Sequence, residues 1–393
     1  MSEIRPRISS LAVFAFAVGM GSLAPDAGAI PAFARRYGAD CSYCHRGFPK
    51  LTYEGQRFKE RGFRMASEDG FDASKWISSV PIVGRAQLGR FLLEQADDST
   101  TGYLKAISAG NLGKRLSYWA DDAWLAREKP ANAPAGFDRV SHLKPNNLWA
   151  RFELIEAGKL YLKAGRFELD LPFTQARSPN LLSYDVYSTA TGLEADNIAS
   201  YQEGAELGGG FKEDWRWSAS LVKGRNNTNQ EAISDDVDKF DANVFLRLRR
   251  RVDRHRFGAF AYIARNTLAP TSQVVFENKL QRVGFDADVW VGKLNLYGVY
   301  LHGRDSRSQP TSVAQSFDGG FAQADWHVRD NLVLSARLNV VQPPAIGGGR
   351  RTFMGFFPGA RLYLFRRARI AFEYGFLNQD RNSVGAAQAE LVF

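Results

Sequence analysis

Two things are scarce in this chain of 393 residues: cysteine, present only twice, and long apolar runs, absent after residue 30. A membrane-spanning helix needs roughly 18 to 20 uninterrupted apolar residues, so the chain beyond residue 30 is not a helical membrane protein. A zinc site built on the two cysteines would need two more soft ligands, and no further thiol exists to supply them.

The two cysteines stand together. In "DCSYCHRGFP", residues 40 to 49, Cys41 and Cys44 are followed directly by His45. In a CxxCH motif the two thiols add across the vinyl groups of haem. The two-residue gap matches the vinyl separation, and the next imidazole is aimed at the iron. The motif therefore predicts one covalent haem c, with His45 as proximal ligand of the iron. A plain disulfide or half of a zinc clip is the competing reading. For the sixth iron position the candidate is Met65 in "GFRMASEDG", whose thioether would raise the reduction potential. Met65 as a packing residue competes with this, as do His142, His255, His302, His327 and an open position. His302, after "LYGVYL", and His327, beside Trp326, read as interfacial residues.

Residues 1–29 carry Arg5 and Arg7, the apolar run "LAVFAFAVGMGSLA", and "AGA" ending at Ala29. That is the order of a cleaved signal peptide. A retained anchor helix competes, against the shortness of the run. Covalent haem attachment takes place outside the cytoplasm, so export and motif predict the same compartment.

From about residue 80 onward, segments of nine to twelve residues alternate apolar and polar, separated by stretches rich in Gly, Asn, Asp, Pro and Ser. In "RVGFDADVWV" (282–291), Val283, Phe285, Ala287, Val289 and Val291 share one strand face, opposite Arg282, Gly284, Asp286 and Asp288. Leu332, Leu334, Ala336, Leu338 and Val340 likewise oppose Asn331, Ser335, Arg337 and Asn339. Ile370, Phe372, Tyr374 and Phe376 oppose Arg369, Ala371, Glu373 and Gly375. A soluble sandwich shows the same period. Three features favour a transmembrane barrel: aromatics near strand ends (Trp215, Trp217, Phe356, Phe357), connections alternating short (213–214, 292–293) and long (224–238), and a last strand "AQAELVF" ending on Phe393.

Strand cores are expected near 82–92, 104–111, 116–127, 147–155, 159–167, 203–211, 214–222, 240–250, 256–265, 280–291, 293–302, 317–327, 331–341, 353–365, 368–378 and 385–393. The fold class expected is thus mainly β, an antiparallel transmembrane barrel of about sixteen strands over residues 80–393, with both termini on the periplasmic side and an open lumen. The haem segment, residues 30–79, is near the size at which a chain struggles to build its own core. It needs walls, and a lumen lined by Arg151, Glu153, Arg247, Arg249 and Arg282 would supply them, with the segment as a plug.

The formal charge is +9. In a soluble chain this would suggest nucleic acid, a partner that export argues against. "RLRRRVDRHR" (247–256) is expected to face anionic headgroups or lipopolysaccharide phosphate, or to line the lumen. "SDDVDKFD" (234–241) and "EADN" (194–197) read as solvated loops or as carboxylates that attract iron(II).

"PAFARRYGADCSYCHRGFPKLTYEGQRFKERGFR" (31–64) resembles the amino-terminal segment of the outer-membrane cytochrome–porin fusions, a family that includes extracellular iron(II) oxidases. "LKAGRFELDLPFTQARSPNLLSYDVY" (162–187) is similar to their barrel. The resemblance implies an iron(II):cytochrome c oxidoreductase of the bacterial outer membrane. It would hold haem through Cys41, Cys44 and His45, take single electrons from extracellular iron(II) or a similar donor, and pass them to a periplasmic c-type cytochrome. A diffusion porin whose haem plug gates or senses, and a conduit running outward to an extracellular acceptor, are the alternatives.

Overall fold

The computed structural model describes residues 33, 37, 39–46, 49–65, 82–93, 99–128, 137–143, 147–155, 158–173, 179–182, 184–188, 198–212, 214–223, 242–271, 274–307, 313–342, 352–364, 368–378 and 384–392. Residues 1–29, the acidic stretches 194–197 and 234–241, and Phe393 lie outside them, as does the side chain of Cys41. Among the described residues no helix is long and apolar enough to cross a membrane.

Seventeen strand segments follow one another: β1 Ile82–Leu93, β2 Ser99–Asn111, β3 Leu116–Glu128, β4 Phe137–Leu143, β5 Leu148–Ile155, β6 Leu160–Glu168, β7 Tyr201–Phe211, β8 Trp215–Val222, β9 Asn243–Val252, β10 His255–Thr271, β11 Val274–Val291, β12 Leu294–Asp305, β13 Gln315–Arg329, β14 Leu332–Gln342, β15 Phe353–Leu364, β16 Ala368–Leu377 and β17 Val384–Val392. Each pairs antiparallel with its neighbour, and β1 pairs β17 from Arg85↔Val392 to Leu93↔Val384, which closes the sheet. β4 and β5 both pair β3, at its two ends, and so occupy one position in the wall. The result is a closed antiparallel barrel of sixteen strands. Pro145, with no N–H to give a ladder, falls between β4 and β5. β4, "FDRVSHL", is not marked by the alternation, because neither of its faces is apolar.

The alternation sorts side chains as expected, with the apolar side outward. Phe285 is 57 % exposed, as are Val283 and Val291 in large part, while Arg282, Asp286 and Asp288 on the same strand are buried. Leu334 and Leu338 face out and Arg337 and Asn339 in; Ile370, Phe372 and Phe376 face out and Arg369 and Glu373 in. Inside, the charges are paired: Arg247 with Asp286 (2.5 Å), Arg282 with Asp305 (2.8 Å), Arg337 with Glu373 (2.9 Å) and Arg369 with Glu390 (2.6 Å). An apolar exterior over a polar, ion-paired interior is the arrangement a bilayer selects.

Exposed aromatics mark both rims. Phe211 stacks on Trp215 (5.6 Å) beside the turn between β7 and β8, and Phe356 on Phe376 (6.4 Å) at the other end. Phe357 departs from expectation. Its neighbour takes the outward face, so it turns into the lumen, buried under the Arg337 guanidinium at 4.6 Å. Several strand ends also differ. β10 and β11 run to Thr271 and from Val274, beyond the expected 265 and 280, because a hairpin can continue past the bilayer without an apolar face.

Phe285→Arg should destabilise the folded barrel by about 2–4 kcal/mol, the cost of a cation on the lipid face near mid-membrane. Urea unfolding in lipid vesicles measures it; an unchanged midpoint would mean that this face is not in lipid.

Candidate functional site

Among the described residues before the barrel, Cys41–Cys44 and Tyr53–Glu60 form short helices, α1 and α2. Thr52 caps α2. Its hydroxyl oxygen accepts from Gly55 N (3.1 Å), its hydroxyl donates to Tyr43 O (2.6 Å), and its N–H donates to Cys44 O (2.9 Å). His45 and Leu51 form an antiparallel bridge, and Arg46 N donates to Lys50 O (2.9 Å). The backbone around the imidazole is thereby pinned on both sides. Position 55 must be glycine, because a Cβ there would collide with the Cys44 carbonyl.

This unit sits inside the barrel, at the end where connections are short. Arg64 Nη2 donates to Gly113 O (2.7 Å) in the β2–β3 turn, Asn111 Nδ2 to Phe63 O (3.3 Å), and Arg151 Nη2 to Glu60 O (2.6 Å). The Phe63 ring lies against Trp119 (5.8 Å) and Trp149 (6.0 Å). Lys50 bonds Asn295, pairs with Asp325 (3.6 Å) and stands over the Tyr297 ring (4.2 Å), while Arg46 covers Trp290 (4.4 Å).

The strongest tether is one carboxylate. Glu60 receives Arg216 at 3.1 Å, Arg249 at 3.3 Å and Arg251 at 3.1 Å. Burial alone would push its carboxyl up, but Arg249, Arg251 and Arg216 outweigh burial and hold it below its ordinary value. The basic run 247–256 is thus divided by strand alternation. Arg247, Arg249 and Arg251 serve the lumen, whereas Arg250 and Arg254 are exposed.

Between plug and wall lies a cavity of about 1110 Å³ whose lining includes Cys44, His45 and Met65. Pockets for bound groups run from about 300 to 1,000 Å³. Burial pushes the His45 imidazole down to about 4, so it is neutral at physiological pH, the form that ligates metals. Met65 packs with Phe33, Phe58 and Phe63 in an apolar cluster. Cys44 and His45 are the donor types that would hold a haem, and the Phe33, Phe58 and Phe63 rings beside them are apolar, while the rest of the lining mixes charged and apolar side chains. Two of the histidines weighed for the sixth position, His255 and His327, line the same cavity. His327 stands 5.2 Å from Trp290, inside the lumen rather than at the lipid interface as read from sequence, because it shares the inward parity of Asp325. His302 faces outward, bonded to Asp318 at 2.8 Å. Among the described residues no group of three His, Cys, Asp or Glu forms a metal-binding cluster.

A second segment, between β6 and β7, also fills the lumen, and nothing in its composition announced this. Leu169, Leu171, Tyr184, Val186 and Tyr187 join inward-facing Phe245, Phe260, Tyr297, Phe321 and Phe353 in one buried cluster. Helix α3, Asp185–Ser188, packs there on β13 and β14. Wall charges hold it: Glu373 accepts from Leu181 N (2.8 Å) and Leu182 N (2.9 Å), Arg337 donates to Leu182 O (3.0 Å), and Arg369 to Pro179 O (2.9 Å).

No family model and no curated protein matches the chain. Solved structures do. OmpF of Salmonella typhi aligns with a TM-score of 0.57 at 12 % identity, over 79 % of this chain and 97 % of that one. OmpT of Vibrio cholerae aligns at 0.54 and 13 % over 84 % and 99 %, and an anion-selective porin from Comamonas acidovorans at 0.53 and 11 % over 79 % and 98 %. The fold is that of the outer-membrane porins.

Glu60→Gln should loosen the plug by about 3 kcal/mol, because Arg216, Arg249 and Arg251 lose a shared carboxylate, Arg249 alone keeping Asp170 at 3.6 Å. Hydrogen exchange over residues 53–60 should rise while the barrel's heat-modifiable gel migration is unchanged. A carboxyl held below its ordinary value stabilises docking fully above that value and loses the contribution as pH falls through the lowered pKa. Protection should therefore hold above pH 4.5 and fade below it, and Glu60→Gln should flatten that dependence.

Proposed function

We propose that the protein is a plugged outer-membrane barrel that conducts single electrons across the membrane through one covalent haem c, from extracellular iron(II) or a similar donor to a periplasmic c-type cytochrome. The observation that carries this reading is the seating of Cys44, His45 and Met65 on one cavity inside a barrel whose lumen two segments fill. A filled lumen suits charge transfer better than solute flow. Export through a cleaved signal peptide over residues 1–29 belongs to the same reading.

In it Cys41 and Cys44 would form the thioether links, and His45 would ligate the iron, with Met65 as the candidate second ligand. The haem supplies one-electron iron chemistry when bound. The chain's own residues do the rest. The Thr52 cap and the His45–Leu51 bridge orient the imidazole, the Phe33, Phe58 and Phe63 cluster excludes water, and the barrel insulates the centre from lipid.

The likeness to porins supports a second reading, in which the plug gates solute diffusion. Reconstituted vesicles separate the two. A conduit reduces an enclosed acceptor when iron(II) is added outside, with little sugar leakage; a porin passes small sugars whatever the redox state.

For the conduit, a haemochrome assay should give one haem per chain, resistant to acid-acetone and lost in the Cys41→Ala, Cys44→Ala double variant. His45→Ala should abolish reduction by iron(II) with the barrel intact, and Met65→Ala should lower the potential. Extractable haem, or none, would refute it.

A further inference from the structure

The two ends of the barrel carry opposite charge. The connections β2–β3, β5–β6, β7–β8, β9–β10, β11–β12, β13–β14 and β15–β16 are short, and together their sequences hold eight Lys and Arg against five Asp and Glu. The long connections at the other end hold nine against thirteen. Lys114, Arg115, Lys159, Lys212, Arg254, Lys293 and Arg329 are exposed, and they place at least one cation on or directly beside each of six successive short turns. Short turns face the periplasm in barrels of this class.

Inside the ring stands the plug, with two exposed aromatics. Tyr43 is 45 % and Tyr53 38 % exposed, and Arg57 donates to the Tyr53 hydroxyl at 2.7 Å. Exposed tyrosines within a charged rim are the composition of a protein-docking surface. A bilayer headgroup touches the outside of the ring but does not reach its centre, where the plug stands.

We infer that the short-turn mouth is a docking surface for a soluble electron-transfer protein with an acidic face, guided by the ring of cations and seated on Tyr43 and Tyr53. The redox character of that partner rests on the conduit reading; the acidity of its face rests on the ring alone. Such a ring raises association rates by 10- to 10³-fold at low salt, and the gain falls steeply as salt rises.

The test uses the full-length protein in zwitterionic nanodiscs, with two probes of known charge: a c-type cytochrome bearing a carboxylate ring around its haem edge, and one bearing a lysine ring. The acidic probe should bind, with an association rate that falls as salt rises from about 0.02 to 0.5 M, and the basic probe should not. The triple variant Lys114→Glu, Lys212→Glu, Arg329→Glu should slow the acidic probe at least tenfold at low salt while gel migration of the folded barrel stays the same. Equal binding of both probes, or rates indifferent to salt, would overturn the inference. So would a variant that binds the acidic probe normally and changes only in discs containing phosphatidylglycerol, which would assign the ring to the membrane. Haem content separates this from the conduit reading. Binding of the acidic probe by a protein that carries no haem sinks the conduit and keeps the docking surface, whereas a haem reduced by iron(II) without probe binding does the reverse.

Discussion

Everything in this molecule follows from the rule that a backbone crossing lipid must pair all its polar groups within the protein. With strands, the only way to obey it is to close the sheet, and the β1–β17 ladder does so. Closure fixes an inside and an outside. Lipid takes one side-chain parity, so every charged residue that alternation places between Leu, Val and Phe must go into the lumen. There the charges survive by pairing, as Arg247 does with Asp286 and Arg282 with Asp305.

The paired lumen then becomes the ground on which two inserted segments are held. Both use the same device, a wall charge that exceeds what its neighbours on the wall require. Around Glu60 the surplus belongs to the wall arginines and the carboxylate comes from the plug. Around Glu373 the wall carboxylate spends one oxygen on Arg337 and gives the other to two backbone N–H groups of the inserted loop. Buried ion pairs contribute modestly to stability but severely penalise the loss of one partner, which makes them good determinants of where a segment sits. The plug could not supply such walls itself. Among the described residues its apolar cluster is Phe33, Tyr37, Phe58, Phe63 and Met65, completed by Trp119 of β3 and Trp149 of β5.

How far these features were visible beforehand depends on their range. Alternation over Val283 to Val291 is local, and it assigned both faces correctly. The CxxCH motif is local too, and its histidine and second cysteine do line one cavity. Glu60, Lys50 and Asp325 carried no signal, because a carboxylate in a helix or an acid in a strand looks the same whether it meets water or a cation 156 to 275 residues away in sequence. Phe357 was misread for a related reason. In "FFP" either phenylalanine could take the lipid face, and only the register with β14 and β16 decides between them.

By itself the sequence determined the class of the barrel, the number of strands around it, which parity meets lipid, and the residue set of the candidate haem motif. These are set by period and spacing, which act between near neighbours. The tertiary structure alone decided which wall residues tether the motif's segment, that Leu169, Leu171, Tyr184, Val186 and Tyr187 turn inward against the wall, and that His255 and His327 share the segment's cavity while His302 does not. Those outcomes depend on which of many like charges and like rings come together once the sheet has closed, and closure brings into contact residues that no local pattern relates.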